Sequence, residues 1–217
     1  MRKALSLLGL GLCLAAQPVL AQNDAKAKSV LDAVSKKVSS LKSLKADFAI
    51  NLTGGKGGKT TDQKKGSLTL KGQKYHVMIA GQEIICDAKT IWTYNKEAKE
   101  VQVTNYNPAE QTMSPAKLLT NFWDKEYKYA YKGSRKEKGK DCDIVELTPN
   151  DKTKQFTKIE LAIDKATSII AGGSYWEKNG NKYQISVTNT VTNANVADTY
   201  FTWNSKDHAG VETVDLR

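Results

Sequence analysis

Residues 68–105, LTLKGQKYHVMIAGQEIICDAKTIWTYNKEAKEVQVTN, decide the fold. Leu68 and Leu70, then Tyr75, Val77 and Ile79 after Gly72, then Ile84 and Ile85 after Gly81, place apolar side chains in short runs separated by turn residues. Trp92 with Tyr94, and Val101 with Val103, continue the pattern. Spacing of two within a run means side chains alternate between the faces of a strand, and turns every eight to twelve positions mean an antiparallel meander. A parallel sheet would need helix-length crossovers between the strands, and this stretch has none.

The pattern extends in both directions. Phe48, Ile50 and Leu52 form a strand before the glycine-rich residues 54–58. After a break at 107–123, strands resume with Tyr127, Tyr129 and Tyr131, then with 144–147, 156–163, 169–176 and Tyr183, Ile185 and Val187, and a last one is expected at 200–203. Two segments read as helix. From Ala25 to Leu44, the apolar residues Ala27, Val30, Leu31, Val34, Val38 and Leu41 recur at three- and four-residue steps behind an Asp24 N-cap. Within the break, Ser114-Pro115 has the form of an N-cap followed by proline at the first helical position, and Leu118, Leu119 and Phe122 make a short apolar face. The fold class is mainly β, with about eleven strands, an opening amphipathic helix and a short inserted one. No repeat or linker divides it, so residues 22–217 are expected to form one domain.

Residues 1–21 read as a removable export signal. Arg2 and Lys3 precede an apolar run from Leu5 to Ala16, and Val19-Leu20-Ala21 offers a cleavage site. The run is shorter than the roughly 20 residues that span a bilayer. Cys13 follows Leu12 where an acylation signal wants a small residue, so a soluble mature chain of about 196 residues is expected. The whole chain has 33 Lys and Arg against 23 Asp and Glu, a net charge of +10, and loss of Arg2 and Lys3 leaves +8. Arg135 and Arg217 are then the only arginines. Nucleic-acid readers use arginine forks on a clustered face, so no nucleic-acid partner is expected. Lysines spaced along strands and turns keep sheet edges soluble. Cys86 and Cys142 remain after cleavage; an oxidising compartment permits a bridge between them, and two separate buried thiols fit equally well.

Catalytic and metal-binding constellations are absent from the spacing. His76 and His208 are the only histidines, and neither has a carboxylate or second histidine at ligand spacing. Gly172-Gly173-Ser174 lacks the strand–elbow–helix context of a serine nucleophile and reads as a bulge. Asp141 with Asp143, and Glu97 with Glu100, lie in lysine-rich turns and read as solvated carboxylates. The chain is expected to be no enzyme, with no catalytic residue, metal or cofactor. The sheet carries more apolar and aromatic residues on one face than its surface requires. A curved antiparallel sheet either fills such a face with side chains or leaves a cavity for an apolar ligand.

The stretch Ile84-Ile85-Cys86-Asp87-Ala88-Lys89-Thr90-Ile91-Trp92-Thr93-Tyr94 resembles the periplasmic outer-membrane lipoprotein carrier family (LolA), whose pattern there is two apolar residues, Ser-Asp-Gly-Lys-Thr, an apolar residue, Trp and, one place on, Tyr. Leu44-Lys45-Ala46-Asp47-Phe48, Gly66-Ser67-Leu68, Ser114-Pro115, Leu147-Thr148-Pro149, Tyr200-Phe201-Thr202-Trp203 and Gly210-Val211-Glu212 follow in the family's order. The resemblance implies an incomplete, half-open antiparallel β-barrel whose apolar concave face is covered by helices. It also implies a monomeric periplasmic carrier that takes acylated outer-membrane lipoproteins from an inner-membrane lipoprotein-releasing transporter and passes them to an outer-membrane receptor. The family's aromatic-x-aromatic strand falls on Tyr75, Val77 and Ile79, which join Phe48, Ile84 and Trp92 as the expected acyl-contacting wall. Val30, Val34 and Val38, with Leu118, Leu119 and Phe122, are the expected lid. Exposing one 16-carbon chain to water costs on the order of 12 kcal/mol at ~0.8 kcal/mol per methylene, so such cargo needs an oily hollow to cross an aqueous gap. Two positions depart from the family: Lys71-Gly72-Gln73 stands where the best-known branch has Lys-Arg-Pro, whose arginine helps hold the lid, and Ala88 stands for the turn glycine. The rival reading is a lipid-binding or envelope-stress-sensing periplasmic protein on the same half-barrel.

Overall fold

A computed structural model describes residues 24–54, 60–107, 115 and 123–217. The expected export signal and Leu118, Leu119 and Phe122 lie outside the described residues. Helix α1 (Ala25–Ser39) leads into β1 (Leu44–Thr53), and β2 (Thr60–Lys71), β3 (Lys74–Ile79), β4 (Gln82–Cys86), β5 (Thr90–Asn95) and β6 (Glu100–Asn105) follow as a meander. A four-residue helix α2 (Trp123–Glu126) opens the second half. There β7 (Tyr127–Glu137), β8 (Lys140–Pro149), β9 (Phe156–Asp164), β10 (Ile169–Glu177) and β11 (Lys182–Thr192) run antiparallel to one another. The halves join where β11 pairs with β1, giving one open sheet in the order β12-β6-β5-β4-β3-β2-β1-β11-β10-β9-β8-β7.

The final strand is not where alternation put it. Tyr200 and Phe201 belong to a 3-10 turn (Asp198–Phe201), a second such turn covers Ser205–Asp207, and β12 (Glu212–Asp215) supplies the twelfth strand. It pairs parallel with β6, whereas the other pairings are antiparallel. The segment from Val196 to His208 is therefore a strap across the outer face of β3–β6. Phe201 is fully buried beneath it, and Lys71 and Lys74 hold its Asp198 at 2.8 and 3.2 Å.

Helix α1 begins where its sequence says it should. The Asp24 Oδ1 accepts hydrogen bonds from the N–H groups of Lys26 (2.7 Å) and Ala27 (3.2 Å), and Lys36 and Lys37 sit in the last turn, where the helix dipole favours cations. It ends at Ser39, five residues short of the expected Leu44, which already pairs in β1. Its stripe of Ala27, Val30, Leu31, Val34 and Val38 is buried in the main core beside Tyr127, Tyr129, Val145 and Leu147. Asp24 also reaches the sheet edge: the Tyr131 N–H donates to its Oδ2 at 3.0 Å, and its own N–H donates to the Tyr129 carbonyl.

The Tyr131 bond, followed by the helix N-terminal N–H groups, holds the Asp24 carboxyl below the ordinary 3.8. A depressed folded value contributes stability that is complete above pH 4 and disappears as pH falls through the folded value. Asp24→Ala should accordingly lower the melting temperature near neutrality, and the gap between variant and parent should close in acid. A constant gap from neutral to strongly acidic pH would show that the carboxylate is not the stabilising group.

Curvature comes from interruptions of register. Bulges lie at Asp47/Phe48 between β1 and β11, at Ile170/Gly172 between β10 and β9, and at Tyr131/Ser134 between β7 and β8. Each adds local twist and bends its strand. The bulge expected at Gly172-Gly173 falls one residue earlier, at Ala171, and both glycines pair in register with β9 and β11. The bend wraps the sheet around α1 without closing it, since β7 and β12 remain as edges.

Candidate functional site

Register assigns each side chain to a face. Tyr75 lies opposite Cys86, which lies opposite Ile91, and all three are buried in the main core. Val77 and Ile84 pair one step along and pack against that core. His76, Ile85, Trp92 and Val103 form the alternate row and so point to the outer face.

Among the described residues, part of the concave face is not filled. A cavity of about 300 Å³ is lined by Leu44, Ala46, Phe48 and Ile50 of β1, Leu68 of β2, Val77 of β3 and Leu147 of β8. Ile159 and Leu161 of β9, Ile170 and Tyr175 of β10, and Ile185 and Val187 of β11 complete the wall, with Pro115 at its margin. Almost every exposed wall atom is carbon. Glu160 borders the cavity through its strand, but its carboxylate pairs with Arg135 at 2.7 Å. Tyr175 stacks on Tyr183 with ring centroids 4.4 Å apart, and burial pushes its phenol up to about 12, so it stays neutral at any physiological pH.

Glycines make the hollow. A Cβ on Gly173 would lie 2.3 Å from the Glu160 carbonyl oxygen, and one on Gly172 would lie 2.6 Å from that of Ile185. Bare backbone thus forms the floor between β9 and β11. Across the sheet the Phe48 ring lies over Gly66, where a Cβ would meet Cζ at 2.6 Å.

The sequence-derived residues divide among three places. Phe48 and Val77 line the cavity, while Tyr75 and Ile84 pack in the adjoining core. Ile79 shares the face of Tyr75 and Val77 but lines a different, outer concavity near the β3–β4 turn. Trp92 faces outward with Ile85 and Val103, so its place in an inner wall is corrected. It was misread because β3–β6 carry apolar residues on both faces, one set in the main core and one under the strap, so alternation there lacks a polar side. Val30, Val34 and Val38 of α1 are buried in the main core and are not among the residues lining the cavity. The C-terminal wall, from Ile159 to Val187, was missed; Tyr175, Tyr183, Ile185 and Val187 at spacing two carry the signal, but only the β1·β11 seam brings it opposite Phe48.

One open alternative is settled and one reading changes. Cys86 and Cys142 are buried free thiols in separate clusters, so no bridge joins them, and burial pushes both thiols up from their ordinary range. Asp143 is not solvated like its neighbour Asp141. Burial alone would raise its pKa, but donors from the Tyr131 hydroxyl (2.7 Å) and Ser134 Oγ (3.0 Å), with Lys165 nearby, hold it below the usual carboxylate range.

The outer face carries a cluster that spacing could not show. His76 Nε2 stands 2.7 Å from Glu83 Oε1, and His208 on the strap brings Nε2 to 3.6 Å from Glu83 Oε2. Trp203 stacks on the His208 ring at 3.7 Å, and Tyr94 packs edge-on to His208 at 5.1 Å and tilted to Trp203 at 5.2 Å. The neighbouring concavity of about 740 Å³ is larger than the inner one, but Asp47, Lys65, Glu83 and Lys96 line it, and mixed charge suits water better than an oily ligand.

The two departures from the family pattern have structural consequences. At Lys71-Gly72-Gln73 the β2–β3 turn ties down the strap through Lys71 and Lys74. At the other, Ala88 adopts φ +75, a left-handed conformation that suits glycine. Ala88→Gly should raise stability by about 0.5–1 kcal/mol, after allowance for the greater freedom of glycine in the unfolded chain. Urea unfolding would measure it, and a lower midpoint would mean that the Ala88 methyl contributes packing that outweighs the strain.

Comparison with known proteins agrees with this geometry. Residues 39–204 match the family model described as outer membrane lipoprotein carrier protein LolA. No curated protein sequence matches the chain. Among solved structures, an uncharacterized conserved protein from Thermus thermophilus superposes with a TM-score of 0.61 at 11% identity, over 88% of this chain and 99% of that one. The LolA superfamily protein NE2245 from Nitrosomonas europaea gives 0.43 at 13% identity, over 82% and 97%. LprF from Mycobacterium bovis gives 0.45 at 15% identity, over 81% and 97%.

Proposed function

This chain belongs to the LolA family of outer-membrane lipoprotein carrier proteins, and from that premise we propose that it is a periplasmic carrier for the acyl chains of lipoproteins. The observation that carries the reading is the open, carbon-lined cavity of the concave face. Such a wall offers a fatty chain no hydrogen bond and no charge, only removal from water at ~25 cal/mol per Å² of apolar surface. Binding is therefore governed by area and fit, which suits cargo that shares its lipid and differs in its polypeptide.

Release is the harder demand. Val30, Val34 and Val38, packed in the adjoining core, are assigned apolar self-contacts that a longer ligand must displace, and Leu118, Leu119 and Phe122, read from the sequence as a short apolar face, are assigned the same role. Competition between lid and ligand lowers net affinity, so an acceptor with a better apolar site can take the cargo. An inner-membrane releasing transporter as donor and an outer-membrane receptor as acceptor complete the scheme.

Native mass spectrometry after mixing with an acylated lipoprotein and with its unacylated form tests the proposal. A one-to-one complex with the acylated form only is expected. Equal binding of both forms, or of neither, overturns it, and capture of small free lipid with no lipoprotein complex favours the rival lipid-binding role.

A further inference from the structure

Trp176 stands on β10 one residue beyond Tyr175 of the cavity wall, and so turns to the outer face at the end of the sheet. Lysines flank it on both neighbouring strands. Lys158 of β9 brings Nζ to 4.3 Å from the ring centroid, and Lys182 of β11 to 5.1 Å. In the turn that follows, the exposed Lys178 donates to the Lys152 carbonyl at 2.6 Å, which adds two more cations to the same edge. Of the acids here, Glu146 pairs with Lys158 and Glu126 with Lys154, while Asp151 and Glu177 keep their charge and accept from Thr153 and from the Asn179 and Asn181 amides, so Lys152, Lys178 and Lys182 are the cations left to meet a surface.

We propose that this edge is a landing surface for a bilayer rich in anionic lipid. A half-buried indole between ammonium groups matches the layered chemistry of a membrane boundary. The ring suits the depth of the glycerol backbone, and lysine stems lie along it while their ammonium groups reach phosphate oxygens. The charge complementarity is direct, because the surface of an anionic bilayer attracts clustered lysines within a Debye length. Position gives the surface its use. Ile159, Tyr175 and Tyr183 form one cross-strand row, and Lys158, Trp176 and Lys182 form the next. A chain resting on this edge therefore holds the end of its cavity one side-chain row from the lipid.

Vesicle landing and acyl-chain capture use different residues, so each can fail alone. Co-sedimentation of the whole mature protein with phosphatidylethanolamine/phosphatidylglycerol vesicles and with pure phosphatidylcholine vesicles tests the landing. Binding to the anionic vesicles alone, lost on raising salt from about 0.05 to about 0.5 M, is expected. Lys178→Gln with Lys182→Gln should lower the vesicle partition coefficient about 20-fold, and Trp176→Leu should lower it further while the phosphatidylcholine control stays flat. Uptake of a fluorescent fatty acid should be unchanged in the lysine double variant, which also shows that it is folded. Equal binding to neutral vesicles, no binding to either kind, or full binding by the lysine double variant overturns the proposal.

Discussion

Ile185→Glu is expected to reduce uptake of a fluorescent fatty acid at least about 100-fold while leaving the far-ultraviolet circular dichroism unchanged. Ile185 lies opposite Gly173 across the β10–β11 pair and lines the cavity, yet it is only half-buried. Without ligand, a carboxylate there keeps part of its water, so the fold should tolerate it. With an acyl chain in place, that water must go, and a wall whose exposed surface is almost all carbon gives little in return. Dehydrating an unpaired charge costs several kcal/mol, and every 1.4 kcal/mol is tenfold in affinity. Ile185→Leu, which keeps volume and polarity, should bind like the parent. Undiminished uptake by Ile185→Glu would place the ligand elsewhere and remove the cavity from the functional account.

Gly173→Ala should be the most damaging small change to the fold itself, at about 3 kcal/mol of stability. The added methyl would sit 2.3 Å from the Glu160 carbonyl oxygen, with the Glu160 carbonyl carbon and Leu161 Cα close behind. These are backbone atoms held in the β9–β10 ladder, so they cannot rotate aside as a side chain would. For a chain of this size the loss corresponds to roughly 6–12 °C in melting temperature. Gly54→Ala, at a position with nothing within 4 Å, is the matched control and should change little. A Gly173→Ala midpoint within about 0.5 kcal/mol of the parent would mean that the two strands are free to separate there, contrary to a rigid floor.

Both expectations depend on contacts that local pattern could not supply. The meander from Leu68 to Val103 was legible because each of its strands pairs with the next, so alternation and turns suffice. Helix α1 was legible down to its Asp24 cap because capping is a matter of neighbours. The cavity was legible as a need and only partly as a set of residues. Phe48 and Val77 were found, yet the wall opposite comes from β9, β10 and β11, which reach Phe48 only through pairing across the length of the chain. Trp92 shows the complementary failure. Between Ile91 in the core and Val103 outside it, apolar residues occupy both faces, and period two cannot say which face is inner. Tyr200–Trp203 looked like a strand for a related reason: Phe201 is buried, and Tyr200 and Trp203 pack on His76 and Tyr94 at the outer face of a sheet they do not join.

The seam between β1 and β11 also governs how the molecule can be made. Residues 44–53 find their partner at 182–192, so the sheet's central pairing must wait for nearly the whole chain to emerge. Until then the strands on either side form two unconnected hairpin arrays, each with an unsatisfied edge at the seam. Closing so long a loop late makes for slow assembly, and open edges invite pairing with other chains. A chain cut short before residue 182 should therefore accumulate as aggregates rather than as a smaller stable fragment, and the rate of folding should respond to substitutions along the seam more than to any within the helix.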